Sequence, residues 1–185
     1  MSRKKILTFV VATFFLIANV AVLASPEFHT WKTIKLGTSL KTADDFRRVF
    51  TVDGFRIGNL GNDILGKPAF KAATTQIDVN LLNVSVAELG FKDGATRKDI
   101  YERAISLGLS LCPNEVGPQL RLQYKDQPNG EWLRIAMKPI TASDNNLRIF
   151  EVGHDGDGLW LIGGNGRSGG FWAGSSRFVF IRPRK

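Results

Sequence analysis

The sequence LRIFEVGHDGDGLWLIGGNGR, residues 147–167, gives the clearest indication of the fold. Two apolar segments, residues 147–152 and 159–162, have the length and composition of β-strands. Between them lies the motif DGDG, in which glycine tolerates a positive φ and aspartate caps its own turn. The stretch therefore predicts a β-hairpin at the centre of a β-rich C-terminal half.

Further short apolar segments continue this pattern on both sides of the hairpin. Residues 120–124, 132–137 and 178–181 are separated from their neighbours by turn-forming residues. Upstream, residues 31–36 and 76–89 alternate apolar and polar side chains, which is the period of a half-buried strand. Short strands with turns at this spacing are typical of an antiparallel meander.

Two segments of the N-terminal half have the pattern of short helices. Thr42 and Thr96 are each followed three residues later by an aspartate and twelve residues later by a glycine. The threonine can accept a hydrogen bond from a first-turn amide, and the glycine can end the helix. The repeat reflects either a duplication or two uses of the same capping rules. The predicted class is α+β, with two short helices and an antiparallel, β-rich C-terminal half.

The first 24 residues have the pattern of an export signal. Three basic side chains precede the apolar run 6–24, and small side chains precede a cleavage point after Ala24. We predict a signal peptide at residues 1–24 and a single extracytoplasmic domain at 25–185, secreted, periplasmic or on the cell surface. The alternative is an uncleaved N-terminal membrane anchor, because the run is just long enough to span a bilayer.

The charge of the chain is basic but not concentrated. The formal net charge is +8, and removal of residues 1–24 leaves 22 basic against 17 acidic residues, a charge of +5. A nucleic-acid-binding protein is expected to cluster such charge on one face beside stacking aromatics. We therefore predict no nucleic-acid partner, and a membrane contact only through an uncleaved N-terminus. The excess of positive charge would give a weak attraction to anionic wall polymers or lipid headgroups.

The single cysteine excludes disulfides within the chain and zinc sites that need several thiolates. Cys112 follows an apolar segment, where a free cysteine is usually a small buried side chain. As a nucleophile it would need a base such as His154 beside it. We expect Cys112 to be buried, and we keep a cysteine-dependent enzyme as an alternative.

The cluster His154, Asp155 and Asp157 has the residue types of a divalent-cation site. It lacks the distal glutamate of a calcium loop, and its sequence is favoured for a hairpin turn. Carboxylates that could form a hydrolytic pair are also present; they are Glu115, Asp126, Glu131 and Glu151. The sequence does not give their separations, and it predicts no catalytic residue, no metal and no cofactor.

Aromatic side chains provide the binding hypothesis. Phe171 and Trp172 lie within the glycine-rich segment 163–174, where core packing explains them less easily than it would on a strand. An exposed indole offers a flat apolar face and one polar group, which suits a sugar ring or a partner's side chain. With Trp160 and Arg167 they are the predicted ligand-binding residues, for a cell-wall glycan or an envelope protein. The alternative is that Phe171 and Trp172 cover an open end of the sheet.

Residues 111–124, LCPNEVGPQLRLQY, followed by GEWL at 130–133, resemble a group of uncharacterised exported bacterial proteins. WKTIKLGT at 31–38 and NDILGKP at 62–68 are similar to the same group. The resemblance covers most of residues 29–185. It implies a bacterial source and supports the domain limits, but it implies no activity and no functional residues.

Together these patterns favour a non-enzymatic binding or interaction module of the cell envelope or exterior. The competing hypothesis is an extracytoplasmic enzyme, either cysteine-dependent or a cell-wall hydrolase. The binding surface is expected on the glycine-rich, aromatic C-terminal loops from Gly153 to Gly174. A cysteine enzyme should instead have a Cys112 thiol that reacts rapidly in the folded protein near neutral pH.

Overall fold

The computed structural model describes residues 27–183, so the predicted signal peptide lies outside the described residues. Within this range the chain forms four helices and ten strands. The helices are α1 (Ala43–Val52), α2 (Asn59–Leu65), α3 (Arg97–Ser106) and α4 (Val116–Gln123). The strands are β1 (Lys32–Leu36), β2 (Arg56–Ile57), β3 (Ile77–Ser85), β4 (Ala95–Thr96), β5 (Trp132–Ile135), β6 (Ile140–Thr141), β7 (Leu147–Asp155), β8 (Gly158–Asn165), β9 (Phe171–Trp172) and β10 (Arg177–Ile181).

Most strands belong to one large curled sheet with the order β1-β3-β10-β5-β7-β8-β2, and β6 pairs with β7. Strands β4 and β9 form a separate two-stranded ribbon. The class is α+β, as predicted. The sheet is mixed, however, because β10 runs parallel to β5 and β2 runs parallel to β8. The expected antiparallel arrangement of the C-terminal half is therefore incomplete, since both β5 and β10 belong to it.

The two predicted helices are α1 and α3, and in both the expected threonine is the N-cap, one residue before the helix. The hydroxyl of Thr42 accepts from the amide of Asp45, whose carboxylate in turn accepts from the amide of Thr42. Thr96 caps α3 through the amide of Asp99. The glycines that follow, Gly54 and Gly108, have φ of 74° and 81°, which only glycine adopts without strain. Local capping chemistry thus sets the bounds of these helices.

The prediction of two helices is wrong in number, because α2 and α4 were not expected. Helix α2 has seven residues, and its N-cap residue Gly58 provides no side-chain hydrogen bond. Helix α4 replaces the strand expected at residues 120–124. Its residues from 116 to 121 are all buried, so it has no polar stripe that would show the helical period.

The two faces of the main sheet are covered differently. On one face α2 and α4 pack against β7 and β8, and Phe70 stacks edge-on against Phe150 with centroids 6.2 Å apart. On the other face Tyr101 of α3 packs edge-on against Phe178 and Phe180 of β10, at 6.3 and 6.2 Å. No helix within residues 27–183 has the length and apolar character needed to cross a membrane.

Candidate functional site

Trp132, Gly153 and Trp160 form a row across β5, β7 and β8. The strand register pairs Trp132 with Gly153, and Gly153 with Trp160, and paired residues project from the same face of a sheet. The row lies on the sheet face that α2 and α4 do not cover. The residue next to each member of the row points to the helical side of the sheet and is fully buried there; these residues are Leu133, Val152 and Leu161. Arg56 of β2 pairs with Trp160 and extends the row. We call this surface the tryptophan face.

Gly153 allows the indole of Trp132 to lie flat on the sheet. A Cβ atom added at Gly153 would be 2.2 Å from Cε3 of Trp132, far inside van der Waals contact. The ring therefore occupies the space that any other side chain would need. Trp132 remains half-buried, so the combination gives a flat aromatic surface that the backbone supports from below.

Trp160 is held in place by polar contacts at its edge. Its Nε1 donates to Oδ1 of Asp155, 2.8 Å away on the same face. The guanidinium carbon of Arg56 is 5.4 Å from the ring centroid, within the range of a cation–π contact. Asp155 is itself fixed, because it also accepts from the amide of Asp157 in the hairpin turn. The polar edge of Trp160 is thus already paired, and its ring is oriented.

A second row beside the first carries charge. Arg134 pairs in register with Glu151, and Nε of Arg134 lies 3.4 Å from Oε2 of Glu151. Burial raises the pKa of Glu151, and the nearby Arg134 opposes that shift. Nη1 of Arg134 also donates to the carbonyl of Trp132 at 3.0 Å. Arg134 therefore contacts both Glu151 in the charged row and the backbone of Trp132 in the aromatic row.

A cavity of about 390 Å³ opens at the Trp132 end of the tryptophan face. Its polar lining includes Glu131, Arg134, Ser175, Ser176 and Arg177. The side chain of Glu131 alternates with that of Trp132 and points to the helical side of the sheet, where its Oε2 accepts from the hydroxyl of Tyr124 at 2.9 Å. The cavity therefore offers hydrogen-bond donors and acceptors next to an aromatic ring.

The four predicted ligand-binding residues lie in different places. Trp160 is on the tryptophan face, and Trp172 lies at its border, with its ring centroid 4.9 Å from the guanidinium carbon of Arg134. Phe171 projects elsewhere and is 64% exposed, with its ring against Gly94. Arg167 is engaged outside the face, where it donates to the side chain of Asn146.

Trp172 is partly core and partly surface. Its ring packs edge-on against Phe178 with centroids 5.6 Å apart. Its Nε1 is buried without a hydrogen-bond partner among residues 27–183. The ribbon β4–β9 that carries Trp172 thus covers β10, which agrees with the alternative that this residue closes part of the sheet.

The candidate nucleophile Cys112 is buried, with 5% of its surface exposed. Its thiol donates to the carbonyl of Val179 at 3.2 Å, and burial raises the pKa of the thiol well above its usual value. The candidate base His154 directs Nδ1 to the carbonyl of Gln127 at 2.6 Å, so that nitrogen carries the proton. Among the described residues no hydrogen bond joins Cys112 to His154.

The side chains of the acidic candidates other than Asp157 each contact a partner within the fold. Asp155 and Asp157 form the β7–β8 turn, and no group of three or more His, Cys, Asp or Glu within residues 27–183 could hold a metal ion. The carboxylates named as a hydrolytic pair each contact a different partner. These contacts are Glu115 with the amides of Gly37 and Ala73, Asp126 with Lys32 at 3.8 Å, Glu131 with Tyr124, and Glu151 with Arg134.

Sequence reasoning missed Trp132, Gly153, Arg56 and Arg134 as parts of one surface. The sequence did indicate the orientation of Trp160. It lies between two apolar residues of a predicted strand, so its side chain must project from the sheet face opposite to theirs. The register that joins it to Trp132 is not visible in the sequence. No family model, no curated protein and no solved structure matches this chain.

Proposed function

We propose that this protein is an exported, non-enzymatic binding module of the bacterial cell envelope or exterior, and that it binds glycan chains on the tryptophan face. The observation that carries the proposal is the arrangement of Trp132 and Trp160 on one sheet face with Gly153 between them. Export is proposed from the basic and apolar pattern of residues 1–24.

The chemistry of a sugar fits this surface. The C–H face of a pyranose is apolar and packs on an indole, while its hydroxyls need hydrogen-bond partners at the ring's edge. Trp132 and Trp160 stand two strands apart, so their backbones are separated by about 9.5 Å. The Trp132 ring reaches over Gly153 on the strand between them, so an extended chain that crosses β7 and β8 would contact both rings. Because the rings lie on strands rather than loops, little ordering is needed on binding.

Co-sedimentation with insoluble cell wall and insoluble polysaccharides over a salt series tests the proposal. We expect binding that persists near 1 M salt, where the Debye length is only about 3 Å and exposed charges are screened. Trp132→Ala and Trp160→Ala should each weaken binding by tenfold or more, because each removes a stacking surface. Phe171→Ala is the matched aromatic control and should bind as the parent does.

The same experiment separates the other hypotheses. Equal binding by the parent and both tryptophan variants would refute binding on the tryptophan face. Loss of binding in Phe171→Ala alone would place the binding site on the glycine-rich segment 163–174 instead. Release of soluble sugar during incubation would indicate a cell-wall hydrolase. The cysteine-dependent alternative has little support, because a nucleophilic thiol needs an accessible site and a lowered pKa, and Cys112 has neither.

A further inference from the structure

A separate cavity lies at the open end of the β7–β8 hairpin, where β7 begins and β8 ends. Its volume of about 270 Å³ is just below the range of small-molecule sites, about 300–1,000 Å³, so it suits a single chemical group. It shares no residue with the tryptophan face. It is lined by Asn146, Leu147, Arg148, Asn165 and Arg167.

Arg148 is held in a fixed position beside this cavity. It pairs in register with Asn165, and its Nη2 donates to Oδ2 of Asp144 at 2.6 Å. Oδ1 of Asp144 accepts from the amide of Asn146 at 3.0 Å, so one carboxylate fixes both the guanidinium and the turn before β7. The bond to Arg148 contributes most to lowering the pKa of Asp144, which therefore stays ionised at neutral pH.

Arg167 reaches the same cavity from the end of β8. Its amide donates to Oδ1 of Asn165 at 3.0 Å, and its guanidinium donates to Oδ1 of Asn146. No carboxylate in the described part of the chain lies within 4.0 Å of this guanidinium. Arg167 is also exposed, so a ligand can reach it without opening the fold.

The unused hydrogen-bonding capacity of the cavity consists mainly of donors. The Oδ1 atoms of both asparagines already accept from Arg167. A guanidinium has five N–H donors, and Arg167 uses one nitrogen for its bond to Asn146. Two guanidiniums and the carboxylate of Asp144 leave one positive charge in excess. Arg97 adds another beside it, because its Nε donates to the carbonyl of Arg167 at 3.2 Å.

We propose that this cavity binds a phosphate group between Arg148 and Arg167. Oxygens on different sides of a tetrahedral phosphate can accept from two guanidiniums at once, whereas a carboxylate is satisfied by one bidentate arginine. A phosphate monoester carries a charge of about −1.5 to −2 at pH 7, which the excess positive charge attracts. The site is independent of glycan binding on the tryptophan face.

Calorimetric titration of the full chain at constant ionic strength compares inorganic phosphate, glycerol phosphate and acetate. We expect both phosphates to bind at least tenfold more tightly than acetate, because acetate can engage only one guanidinium. Tighter binding of glycerol phosphate would support the site and identify an esterified phosphate as its ligand. Tighter binding of inorganic phosphate would support it with the free ion as the ligand.

Two arginine variants and one control locate the binding. Arg167→Gln should weaken phosphate binding tenfold or more, because it removes the uncompensated charge. Arg148→Lys keeps a cation for Asp144 but loses the planar fork, so the variant should fold and should also bind more weakly. Arg48→Gln removes the same charge at an exposed position on α1 outside the cavity, and should bind within twofold of the parent. Circular dichroism and melting temperatures check folding.

Three results would overturn the phosphate site. These are equal affinities for phosphate and acetate, equal losses in Arg167→Gln and Arg48→Gln, and no binding of either phosphate. None of them bears on the glycan proposal, because Trp132→Ala and Trp160→Ala should leave phosphate binding unchanged. Loss of phosphate binding in those tryptophan variants would place the anion on the tryptophan face and would also overturn this site.

Discussion

Glu115 is completely buried, yet its hydrogen-bond partners are uncharged. Its Oε1 accepts from the amide of Gly37 at 2.9 Å and from the side chain of Gln119 at 3.1 Å, and its Oε2 accepts from the amide of Ala73 at 2.7 Å. A buried carboxylate without such donors would cost several kcal/mol. These donors therefore allow the carboxylate to hold the segments after β1 and before β3 against the start of α4.

Replacement of this carboxylate should be strongly destabilising. Glu115→Ala leaves two backbone amides and one side-chain amide without their acceptor in the interior, and we expect the free energy of unfolding to fall by about 3 kcal/mol or more. Urea denaturation measures the change. Glu102→Ala, which removes a surface ion pair with Lys98, should change stability by less than about 1 kcal/mol. Similar losses in the two variants would show that Glu115 does not join these segments.

Cys112 and Gly153 show which properties of the candidate site could be predicted from the sequence and which could not. The burial of Cys112 was predictable, because a small thiol after an apolar segment is usually core, and the structure confirms it. The role of Gly153 was not predictable, because it depends on Trp132, a residue 21 positions earlier in the chain, lying directly above it. Close contacts between strands depend on register, which the side-chain pattern of one strand does not contain.

At the scale of elements, the cap of α1 depends on one carboxylate. Oδ2 of Asp45 accepts from the amides of Lys41 and Thr42 and from the hydroxyl of Thr42. These bonds, with the amide of Lys41 contributing most, lower the pKa of Asp45 to about 2. Because the pKa is lower in the folded state than the ordinary value of 3.8, the cap stabilises the fold at pH values above that ordinary value.

This shift predicts a definite pH window. The stabilisation from Asp45 should be complete above about pH 4 and should be lost as the pH falls towards about 2. The difference in melting temperature between the parent and Asp45→Asn, measured from pH 7 to pH 2, should therefore shrink across that window. Asp93→Asn, at another exposed aspartate, controls for the removal of one negative charge. A difference that does not change with pH would contradict the role of the carboxylate in this cap.

Elements with local signals were predictable and the others were not. Helices α1 and α3 carry threonine caps and terminal glycines within a single stretch of sequence. Helix α4 lacks a side-chain cap and is buried over most of its length, so its alternating leucines resembled a strand. Its character is set by packing, as at Gly117, where an added Cβ would be 2.6 Å from Cβ of Phe150. Tertiary contacts here override the local pattern.

At the scale of the molecule, the sheet is assembled from distant parts of the chain. Strand β10 lies between β3 and β5, so the last described strand occupies a central position. Its parallel pairing with β5 requires a long connection that contains β6, β7, β8 and β9, and no local pattern specifies that route. The tryptophan face depends on this assembly, because the ribbon packs on β10 through Trp172 and Phe178, whereas the proposed binding surface lies on β5, β7 and β8.

Within residues 27–183, part of β3 is paired on one side only. Strand β1 pairs with residues 77–81, and β10 pairs with residues 81–85 on the opposite edge. The backbone groups of Lys35 bond to the side chain of Gln123, away from β3, so its register partner Asp78 also points away from β1. The amide of Asp78 therefore faces a cavity of about 520 Å³ between β3 and the end of β10.

Native-state hydrogen exchange tests this arrangement. The amide of Val79 points towards β1, whereas that of Asp78 faces the cavity, so we expect Asp78 to exchange at least a hundredfold faster than Val79 after correction for intrinsic rates. The amides of β10, which has a neighbour on each side, should exchange only with global unfolding. Two adjacent residues of one strand provide the comparison, so general flexibility of β3 cannot produce the difference. Equal protection of Asp78 and Val79 would mean that another segment pairs with this edge of β3 in solution. The sheet would then contain a strand pairing that residues 27–183 do not form.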